Sequence, residues 1–298
     1  MSGWLPTAPC TPRACLDPAR RAGAAPRAVA RLTAVLLLLL AGIALAPFGG
    51  HLPARWVRAW SRGIVRAAGL RVRITGAAED TGGLLLVANH VSWLDIPLLA
   101  AVRPARMLAK KEIRDWPLAG PLAQRGGALF IDRDRLRALP GTVARLTDAL
   151  RAGAAVGVFP EGSTWCGRAQ GRFRRAAFQA ALDAGVPVQP VRIRYRLGDG
   201  PATTLPAFLG DDTLLTSVWR VVTARDLVAE ADIRPTIPPG AHRSRRALAE
   251  AAQRAVTGGA ATNRAPGEDT SARPGPHRQP VAPPTTRHPR RRGAREAV

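Results

Sequence analysis

The sequence predicts an α/β domain with a mixed sheet flanked by helices, preceded by an N-terminal membrane anchor that joins a hydrophobic to an amphipathic segment. Three observations lead to this prediction. Two short apolar runs, at 84–88 and 154–159, end at polar or proline residues, as buried strands do. Segments with the spacing of amphipathic helices alternate with these runs. An apolar stretch at 32–46 precedes them all and carries no charge.

The N-terminal region divides into a leader and an anchor. Residues 1–27 are rich in Pro, Ala and Arg and lack periodicity, which predicts a disordered basic leader. Residues 28–70 are the predicted anchor, whose apolar run of about fifteen residues is shorter than the roughly 18 that a spanning helix needs. Ala44-Leu45-Ala46 resembles a signal-peptidase site, but the long basic stretch before it favours an uncleaved anchor.

The second half of the anchor is a predicted amphipathic helix with arginines on one face and an apolar, tryptophan-bearing face opposite. The arginines are Arg55, Arg58, Arg62 and Arg66, and the apolar residues are Trp56, Val57, Trp60 and Ile64. This pattern is typical of a helix in the membrane interface, and its position after an apolar run favours that interpretation over packing on the core. Because arginines flank the apolar run on both sides, a re-entrant hairpin with both ends in the cytoplasm satisfies the positive-inside rule.

Residues 71–256 are the predicted globular domain. Helical spacing predicts helices at 93–102, 135–152, 173–184 and 241–256, and Asp211 and Asp212 are candidate caps of another. Further strands are predicted at 188–195 and 227–233. Pro190 in the first of these indicates a sheet edge or a bulge. Residues 257–298 are rich in Pro, Gly and Arg and predict a disordered tail.

The net charge of +23 lies mainly in the part of the chain that is predicted to fold. Residues 1–31 contribute +4 and residues 258–298 contribute +5, which leaves +14 for residues 32–257. Nucleic acid, an anionic bilayer and a phosphorylated substrate would each match such a surface. The charge alone does not distinguish among them.

One histidine among the five follows a predicted buried strand. His90 lies in V-A-N-H-V-S-W-L-D, and Asp95 comes five residues later, at the start of the next helix. Ligands bind at the carboxyl ends of strands in α/β sheets. A carboxylate on one ring nitrogen would fix the tautomer and stabilise the imidazolium that forms when the other nitrogen takes a proton. Taken alone, the pair is also compatible with a core histidine beside a capping aspartate.

The motifs that the chain lacks narrow the chemistry. It contains no G-x-S-x-G, no H-E-x-x-H, no Walker A sequence and no G-x-G-x-x-G. A His–Asp pair without a Ser or Cys nucleophile matches a reaction in which the substrate supplies the hydroxyl. The base then activates that hydroxyl for attack on an activated acyl group.

The cysteines give no sequence signal for a metal site. Cys10, Cys15 and Cys166 form no C-x-x-C pair, and neither His nor Cys clusters along the chain with ligand spacing. The sequence therefore predicts free thiols in a reducing compartment and no bound metal.

Four short blocks occur in order between residues 89 and 191. They are N-H-x4-D at 89–95, G-A-L-F-I-D-R at 127–133, F-P-E-G-S-T at 159–164 and V-P-V-Q-P-V at 186–191. In this order the blocks resemble those of the lysophospholipid acyltransferase family, which includes the bacterial 1-acylglycerol-3-phosphate acyltransferases. Each block could occur by chance, but the four together are highly specific.

The resemblance implies a role for each matched residue. His90 would be the general base on the acceptor hydroxyl, and Asp95 would orient it and support its charge. Arg133 would bind the acceptor phosphate, and Glu161, Gly162 and Ser163 would shape the same site. Pro187 and Pro190 would shape the acyl-donor side.

Lys110 lies where the family often has a lysine, which makes it a further candidate for binding the phosphate. Lys110 and Lys111 are the only lysines in the chain, and a solvated pair at a strand end is the alternative.

The resulting hypothesis is an acyltransferase of the cell membrane with its active site on the cytoplasmic side. It would transfer an acyl chain from acyl-CoA or acyl carrier protein to a lysophospholipid acceptor, forming phosphatidic acid from 1-acylglycerol-3-phosphate. As in the family, no cofactor or metal is expected. O-acylation of another lyso-lipid, such as a lyso-aminolipid, is the close alternative. A non-catalytic binder of membranes or nucleic acid is the alternative from a different functional class. Such a binder has no need of the His–Asp pair, so the pair argues against it. As partners we expect an anionic membrane surface and no nucleic acid.

Overall fold

The computed structural model describes residues 7–18, 25–45 and 52–258 of the chain. The strands are β1 (Leu70–Thr75), β2 (Leu84–Ala88), β3 (Arg106–Lys110), β4 (Leu129–Ile131), β5 (Ala155–Val158), β6 (Val188–Leu197) and β7 (Leu227–Ile233). The α-helices are α1 (Pro12–Cys15), α2 (Ala25–Leu45), α3 (Ala54–Ala67), α4 (Asp95–Val102), α5 (Ala119–Arg125), α6 (Leu139–Arg151), α7 (Ala176–Ala184), α8 (Leu214–Thr223) and α9 (Arg245–Thr257). Two 3₁₀ turns occupy Lys111–Asp115 and Leu136–Ala138.

The strands form one sheet in the order β1-β7-β6-β2-β5-β3-β4. Every neighbouring pair is parallel except β6 and β7, which are antiparallel. The prediction of a mixed sheet flanked by helices is therefore confirmed. Because β2 is parallel to both β5 and β6, the segments that follow these three strands lie at the same edge of the sheet.

The central strand β2 is buried on both faces, which explains its continuous apolar sequence. Its even-numbered residues pack with α3, α4 and the inward side chains of β6 and β7. Its odd-numbered residues pack with α6, α7 and α9 on the opposite face. Each fully buried leucine stabilises the fold by about 1.5–3 kcal/mol relative to an exposed one.

Four helices begin later than their periodicity predicts. Helix α6 begins at Leu139, after the 3₁₀ turn at Leu136–Ala138. Helix α4 begins at Asp95 because the preceding residues form a turn in which the Asp95 N–H donates to the Ser92 carbonyl. Helix α7 begins at Ala176, and the Phe173 N–H instead donates to Gln253 of α9. Helix α9 begins after Ser244, whose hydroxyl accepts from a backbone N–H in its first turn.

The predicted caps of α8 are not its caps. Thr213 caps this helix, with its hydroxyl accepting from the Thr216 N–H. Asp212 instead forms a buried ion pair of 2.6 Å with Arg220 on the second turn of the helix. The ion pair with Arg220, seven residues beyond the cap, therefore determines the position of the carboxylate.

Pro190 lies in an interior strand rather than at an edge, so only the bulge alternative agrees with the structure. Val191 pairs with Ile233, whereas Val188 pairs with Ile237. Three steps along β6 therefore face four steps along the other segment, which is a one-residue bulge. The Pro190 carbonyl accepts from the Arg234 N–H at this bulge. A bulge is a position in a sheet where a residue without a backbone N–H is tolerated.

Residues 7–18 fold against the domain, which differs from the predicted disordered leader. Cys10 and Cys15 are buried in the core that α3, α4 and β6 share. The Asp17 carboxylate accepts from the Thr203 hydroxyl and the Thr204 N–H, each at 2.8 Å. The remaining residues of the predicted leader, 1–6 and 19–24, lie outside the described ranges, as does the predicted tail beyond residue 258.

Helix α2 is longer than the apolar run predicted. It begins at Ala25 and has 21 residues, which corresponds to about 31 Å at 1.5 Å per residue. Within the described ranges, only α2 is long and apolar enough to cross a membrane, judged by length and composition. Its basic first turns are held by the protein, because Arg27 and Arg31 donate to carbonyls at the end of α8.

Most of the apolar face of α3 packs on the protein rather than pointing outward. The Trp60 indole N–H donates to the Leu38 carbonyl of α2 at 2.9 Å, and Ile64 is only 4% exposed. On the opposite face Arg58 pairs with Asp80. Trp56, at 61% exposure, is the member of the predicted membrane face that remains largely open. Packing on the core, the alternative to an interfacial helix, therefore describes most of α3.

Candidate active site

The site lies where the loops after β2 and β5 meet. His90 follows β2, and Phe159 follows β5, its parallel neighbour. The two rings stack with their centroids 4.0 Å apart and their planes 7° from parallel. The Trp165 N–H further along the β5 loop donates to the His90 carbonyl at 2.8 Å. The first and third sequence blocks are thus brought together as one structure.

His90 and Asp95 form the predicted pair. The His90 Nδ1 atom lies 2.8 Å from Asp95 Oδ2, with the histidine side chain 20% exposed and the aspartate fully buried. The short turn between β2 and α4 returns the carboxylate to the ring. The same Oδ2 accepts from the backbone N–H groups of Val91 at 2.6 Å and Ser92 at 2.8 Å. The four-residue spacer in H-x4-D is therefore the length of a turn that the aspartate itself closes.

Tyr195 completes the environment of the carboxylate and was not identified from the sequence. Its hydroxyl donates to Asp95 Oδ1 at 2.6 Å, and the residue is 2% exposed. Burial, together with the charge of Asp95, raises the pKa of Tyr195 well above its usual value, so the phenol remains a proton donor. Tyr195 is the only tyrosine in the chain and lies on β6, directly after the fourth block. An isolated buried phenol on a predicted strand is the signal that could have identified it.

This arrangement leaves one ring nitrogen for chemistry. An ionised Asp95 is an acceptor only, so Nδ1 of His90 carries the hydrogen that it shares with the carboxylate. The Nε2 atom is then the basic nitrogen of a neutral imidazole. A partly exposed ring with Nε2 free of this pair can accept the proton of a substrate hydroxyl.

The predicted substrate-binding carboxylate of Glu161 points inward rather than toward solvent. Its Oε2 accepts from the His90 N–H at 2.9 Å and its Oε1 accepts from the Gly171 N–H at 3.2 Å. The residue is 3% exposed, and burial raises the pKa of Glu161 to about 8 against the two hydrogen bonds. Glu161 therefore shapes the site through the backbone of His90, and its burial disfavours a negative charge at this position.

Arg133 joins the second block to the third. Its guanidinium donates to the carbonyl of Gly162, which has the left-handed backbone conformation (φ 79°) that glycine accommodates. This bond uses one of five N–H donors of the guanidinium, and the others suit a phosphate or carboxylate. Burial lowers the pKa of Arg133 from its usual value.

Two further predicted residues lie around Arg133. Desolvation, followed by the charge of Arg133, lowers the pKa of Lys110, whereas Lys111 pairs with Asp132 at 2.9 Å. The Ser163 hydroxyl oxygen is buried and has no hydrogen-bond partner among the residues that the structure describes. A ligand that reaches Arg133 would thus find a second cation and a hydroxyl donor nearby.

The backbone that carries His90 is held from both sides. The Asn89 side chain exchanges two hydrogen bonds with the backbone of Ile193 on β6, at 2.8 and 3.0 Å. The Val91 carbonyl accepts from the Phe208 N–H at 2.9 Å. Fixing the residues on each side limits the motion of the ring relative to Asp95, which is what a positioned base requires.

We expect Tyr195→Phe to lower kcat by roughly tenfold and to leave KM for both substrates nearly unchanged. The substitution keeps the ring and removes a hydrogen bond to a charged group, which is typically worth about 1.5–3 kcal/mol. Part of that loss falls on the orientation of Asp95 and hence on turnover. Steady-state kinetics and a thermal melt separate the two effects, and wild-type kcat in Tyr195→Phe would show that the phenol only fills space.

Among the described residues, one group of ligating side chains is close enough to hold a metal ion. It consists of Cys10, Cys15 and Cys166, whose sulfur atoms all lie within 4.8 Å of one another. Chain spacing did not reveal this group because its members come from segments about 150 residues apart. The cluster does not include His90 or Asp95.

Comparison with known proteins agrees with the geometry. A family model described as Acyltransferase matches residues 70–194, a range that contains all four sequence blocks. The lyso-ornithine lipid O-acyltransferase of Pseudomonas aeruginosa is 40% identical over 206 residues, which cover 68% of this chain and 77% of that protein. The 1-acyl-sn-glycerol-3-phosphate acyltransferase of Neisseria meningitidis is 37% identical over 172 residues, which cover 57% of this chain and 67% of that protein.

A solved structure has the same fold. The crystal structure of the 1-acyl-sn-glycerophosphate acyltransferase of Thermotoga maritima superimposes with a TM-score of 0.56 and 21% sequence identity. The superposition covers 77% of this chain and 95% of that one.

Proposed function

Because the chain belongs to the acyltransferase family, we propose that it transfers an acyl chain to the free hydroxyl of a lysophospholipid, with 1-acylglycerol-3-phosphate as the leading acceptor. The observation that carries this proposal is the His90–Asp95 pair, which leaves one ring nitrogen as a base. Phosphatidic acid would be the product.

The chemical step follows from these groups. His90 takes the proton of the acceptor hydroxyl while the oxygen attacks the carbonyl carbon of an acyl thioester. The carbon–sulfur bond breaks, an ester forms, and the proton on the imidazolium passes to the leaving thiolate. Asp95 stabilises the imidazolium between these events. No step requires a metal or a prosthetic group.

We propose acyl-CoA or acyl carrier protein as the donor, since both present the thioester that this step consumes. The donor is tested by supplying labelled acyl chains on each carrier to purified protein. Product formed from one carrier and not the other identifies the donor. If neither carrier gives a labelled lipid product with any of the acceptors tried, the proposed reaction is excluded.

A lyso-ornithine lipid is the second candidate acceptor, because four of the relatives are lyso-ornithine lipid O-acyltransferases. Its headgroup is an amino acid, and an arginine binds carboxylate and phosphate with the same fork geometry. Arg133 therefore does not distinguish the two acceptors. Competition between 1-acylglycerol-3-phosphate and a lyso-ornithine lipid in one assay, read as the ratio of products, ranks them directly.

We expect Arg133→Ala to raise KM for the acceptor about 10- to 100-fold and to leave KM for the donor nearly unchanged. The change removes a charge-assisted contact worth about 1.5–3 kcal/mol, and each 1.4 kcal/mol is a factor of about ten. Arg135→Ala is the matched control, since Arg135 is an exposed arginine two residues away. An acceptor KM equal to wild type would mean that the anion binds elsewhere, with Lys110 the next candidate.

We propose that the protein is held at the cell membrane through α2, with its active site on the cytoplasmic side, where acyl-CoA and acyl carrier protein occur. Leu36, Leu37 and Leu40 of this helix are 45–61% exposed, which is unusual for three large apolar side chains so close together on one helix. The positive charge of the chain's arginines favours binding to an anionic membrane surface.

Replacing Leu36, Leu37 and Leu40 together by glutamine should move the protein from the membrane fraction to the soluble fraction. Each leucine contributes through burial of apolar area in lipid, which glutamine removes. Leu197→Gln, an exposed leucine on β6, is the matched control and should stay with the membranes. Wild-type protein that remains soluble without detergent or lipid would contradict the anchor.

A further inference from the structure

Three cysteines from two distant segments meet in the folded chain. Cys10 and Cys15 belong to the N-terminal segment, and Cys166 follows the F-P-E-G-S-T block. Their sulfur atoms all lie within 4.8 Å of one another, and the residues are 3%, 7% and 1% exposed. The three thiols therefore share one pocket that water does not reach freely.

The spacing of the sulfur atoms fits a metal centre better than a disulfide. Metal–thiolate bonds of about 2.3 Å place three sulfurs roughly 4 Å apart around one ion. A disulfide requires about 2.05 Å between two sulfurs and would leave the third thiol buried without a partner. A single ion uses all three.

We propose that Cys10, Cys15 and Cys166 bind one soft, thiophilic cation of the Zn²⁺ or Cu⁺ class. Thiolate ligands select such ions, whereas Mg²⁺ and Ca²⁺ require oxygen ligands, which the cluster lacks. On binding, sulfur–metal bonds replace S–H bonds, and the displaced protons pass to solvent. No oxidant or reductant takes part.

The surrounding contacts hold the two segments together without the ion. Arg168, two residues after Cys166, forms an ion pair with Asp17, two residues after Cys15. Asp17 is held in turn by the backbone and hydroxyl groups of the 203–204 segment.

The thiols do not resemble a redox-reactive site. All three thiols are buried, whereas reactive cysteines are partly exposed. The cluster is therefore better suited to structural binding than to thiol–disulfide exchange.

The bound cation would cross-link the N-terminal segment to the loop that supports the active site. Glu161 and Trp165 of that loop contact the backbone of His90 through hydrogen bonds of 2.9 and 2.8 Å. Cys166 is the next residue along the chain. A metal bond at Cys166 would thus stabilise the loop that contacts the backbone of His90.

The test uses the full chain in detergent, reduced and stripped with a strong chelator. Metal content after purification is measured by mass spectrometry, and the stripped protein is titrated with Zn²⁺ and, without oxygen, with Cu⁺, each against a chromophoric competitor. We expect one cation per chain with a Kd in the nanomolar range or below. The ion that binds at that level identifies the class, and binding of both ions weaker than micromolar overturns the proposal.

Cysteine variants test the ligand set. Each of Cys10→Ser, Cys15→Ser and Cys166→Ser should weaken binding at least 100-fold, because each removes one of three metal–sulfur bonds. Arg168→Ala is the control that disturbs the same contact between segments without removing a ligand, and it should still bind one cation. Unchanged affinity in any of the three serine variants contradicts the three-sulfur site.

A measurement on the wild-type chain avoids the question of whether the variants fold. The Tm should rise as the free concentration of the bound ion is raised and fall again with chelator, because the ion binds the folded state. A Tm that does not respond, or a wild-type mass lower by two hydrogens that shows a disulfide in the cluster, would overturn the proposal.

Discussion

His90→Ala is expected to remove nearly all turnover while the protein remains folded. The acceptor alcohol is a poor nucleophile at neutral pH, and a positioned base accelerates such a step by roughly 10²- to 10⁴-fold. No other histidine in the described residues contacts Asp95, so nothing replaces the lost base. The loss should therefore appear in kcat for every acceptor and donor.

The fold should tolerate this change. The His90 side chain is partly exposed and contacts the core mainly through its stack on Phe159. The backbone N–H and carbonyl of residue 90, which bond to Glu161 and Trp165, remain in the alanine variant. Circular dichroism and a thermal melt serve as the control. Substantial turnover by a folded His90→Ala protein would refute the mechanism.

Asp95→Asn is expected to lower kcat by about 10²- to 10⁴-fold with little effect on KM. The carboxylate accepts hydrogen bonds from four groups, one of which is His90. An asparagine that keeps its oxygen at the Oδ2 position retains the bonds from His90 and the two backbone N–H groups. Its amide then faces Tyr195, whose hydroxyl oxygen can accept. The geometry is largely preserved, and the negative charge that stabilises imidazolium is lost.

The double variant tests whether His90 and Asp95 act as one unit or as two independent residues. If His90 and Asp95 act as one unit, His90→Ala combined with Asp95→Asn should be hardly slower than His90→Ala alone. Stability of the two single variants is measured beside the kinetics. Additive losses in kcat, or an Asp95→Asn protein with wild-type kcat, would mean that Asp95 closes the turn without supporting the base.

Much of the fold could be predicted because its signals are local. The two-sided burial of β2 was visible as a continuous apolar run, and the observed strand has the predicted bounds at Leu84–Ala88. The mixed sheet followed from alternation of such runs with helical periods, since each period spans only a few residues. The elements shifted by two or three residues where a turn or a tertiary hydrogen bond replaced the first turn of a helix, as before α4 and α7.

The candidate site likewise combines features that the sequence predicts locally with features that depend on distant segments. H-x4-D is a local signal, because the spacer forms one turn and the aspartate bonds to the backbone inside it. Arg133 and Gly162 were assigned to one site through the resemblance, and their contact agrees with it. The inward direction of Glu161 was not predictable, since it depends on backbone N–H groups from two other segments.

By itself the sequence predicted the class of the domain and the pairing of His90 with Asp95, both of which the structure contains. Only the tertiary structure decided the contacts between distant segments. Asp95 and Tyr195 are 100 residues apart and meet because β6 lies beside β2 in the sheet. The three cysteines meet because the N-terminal segment folds back on the loop after β5. The physical reason is that periodicity and motif spacing indicate only which residues are neighbours within one or two turns of the chain. The order of the strands decides which buried polar and thiol groups from distant segments come into contact.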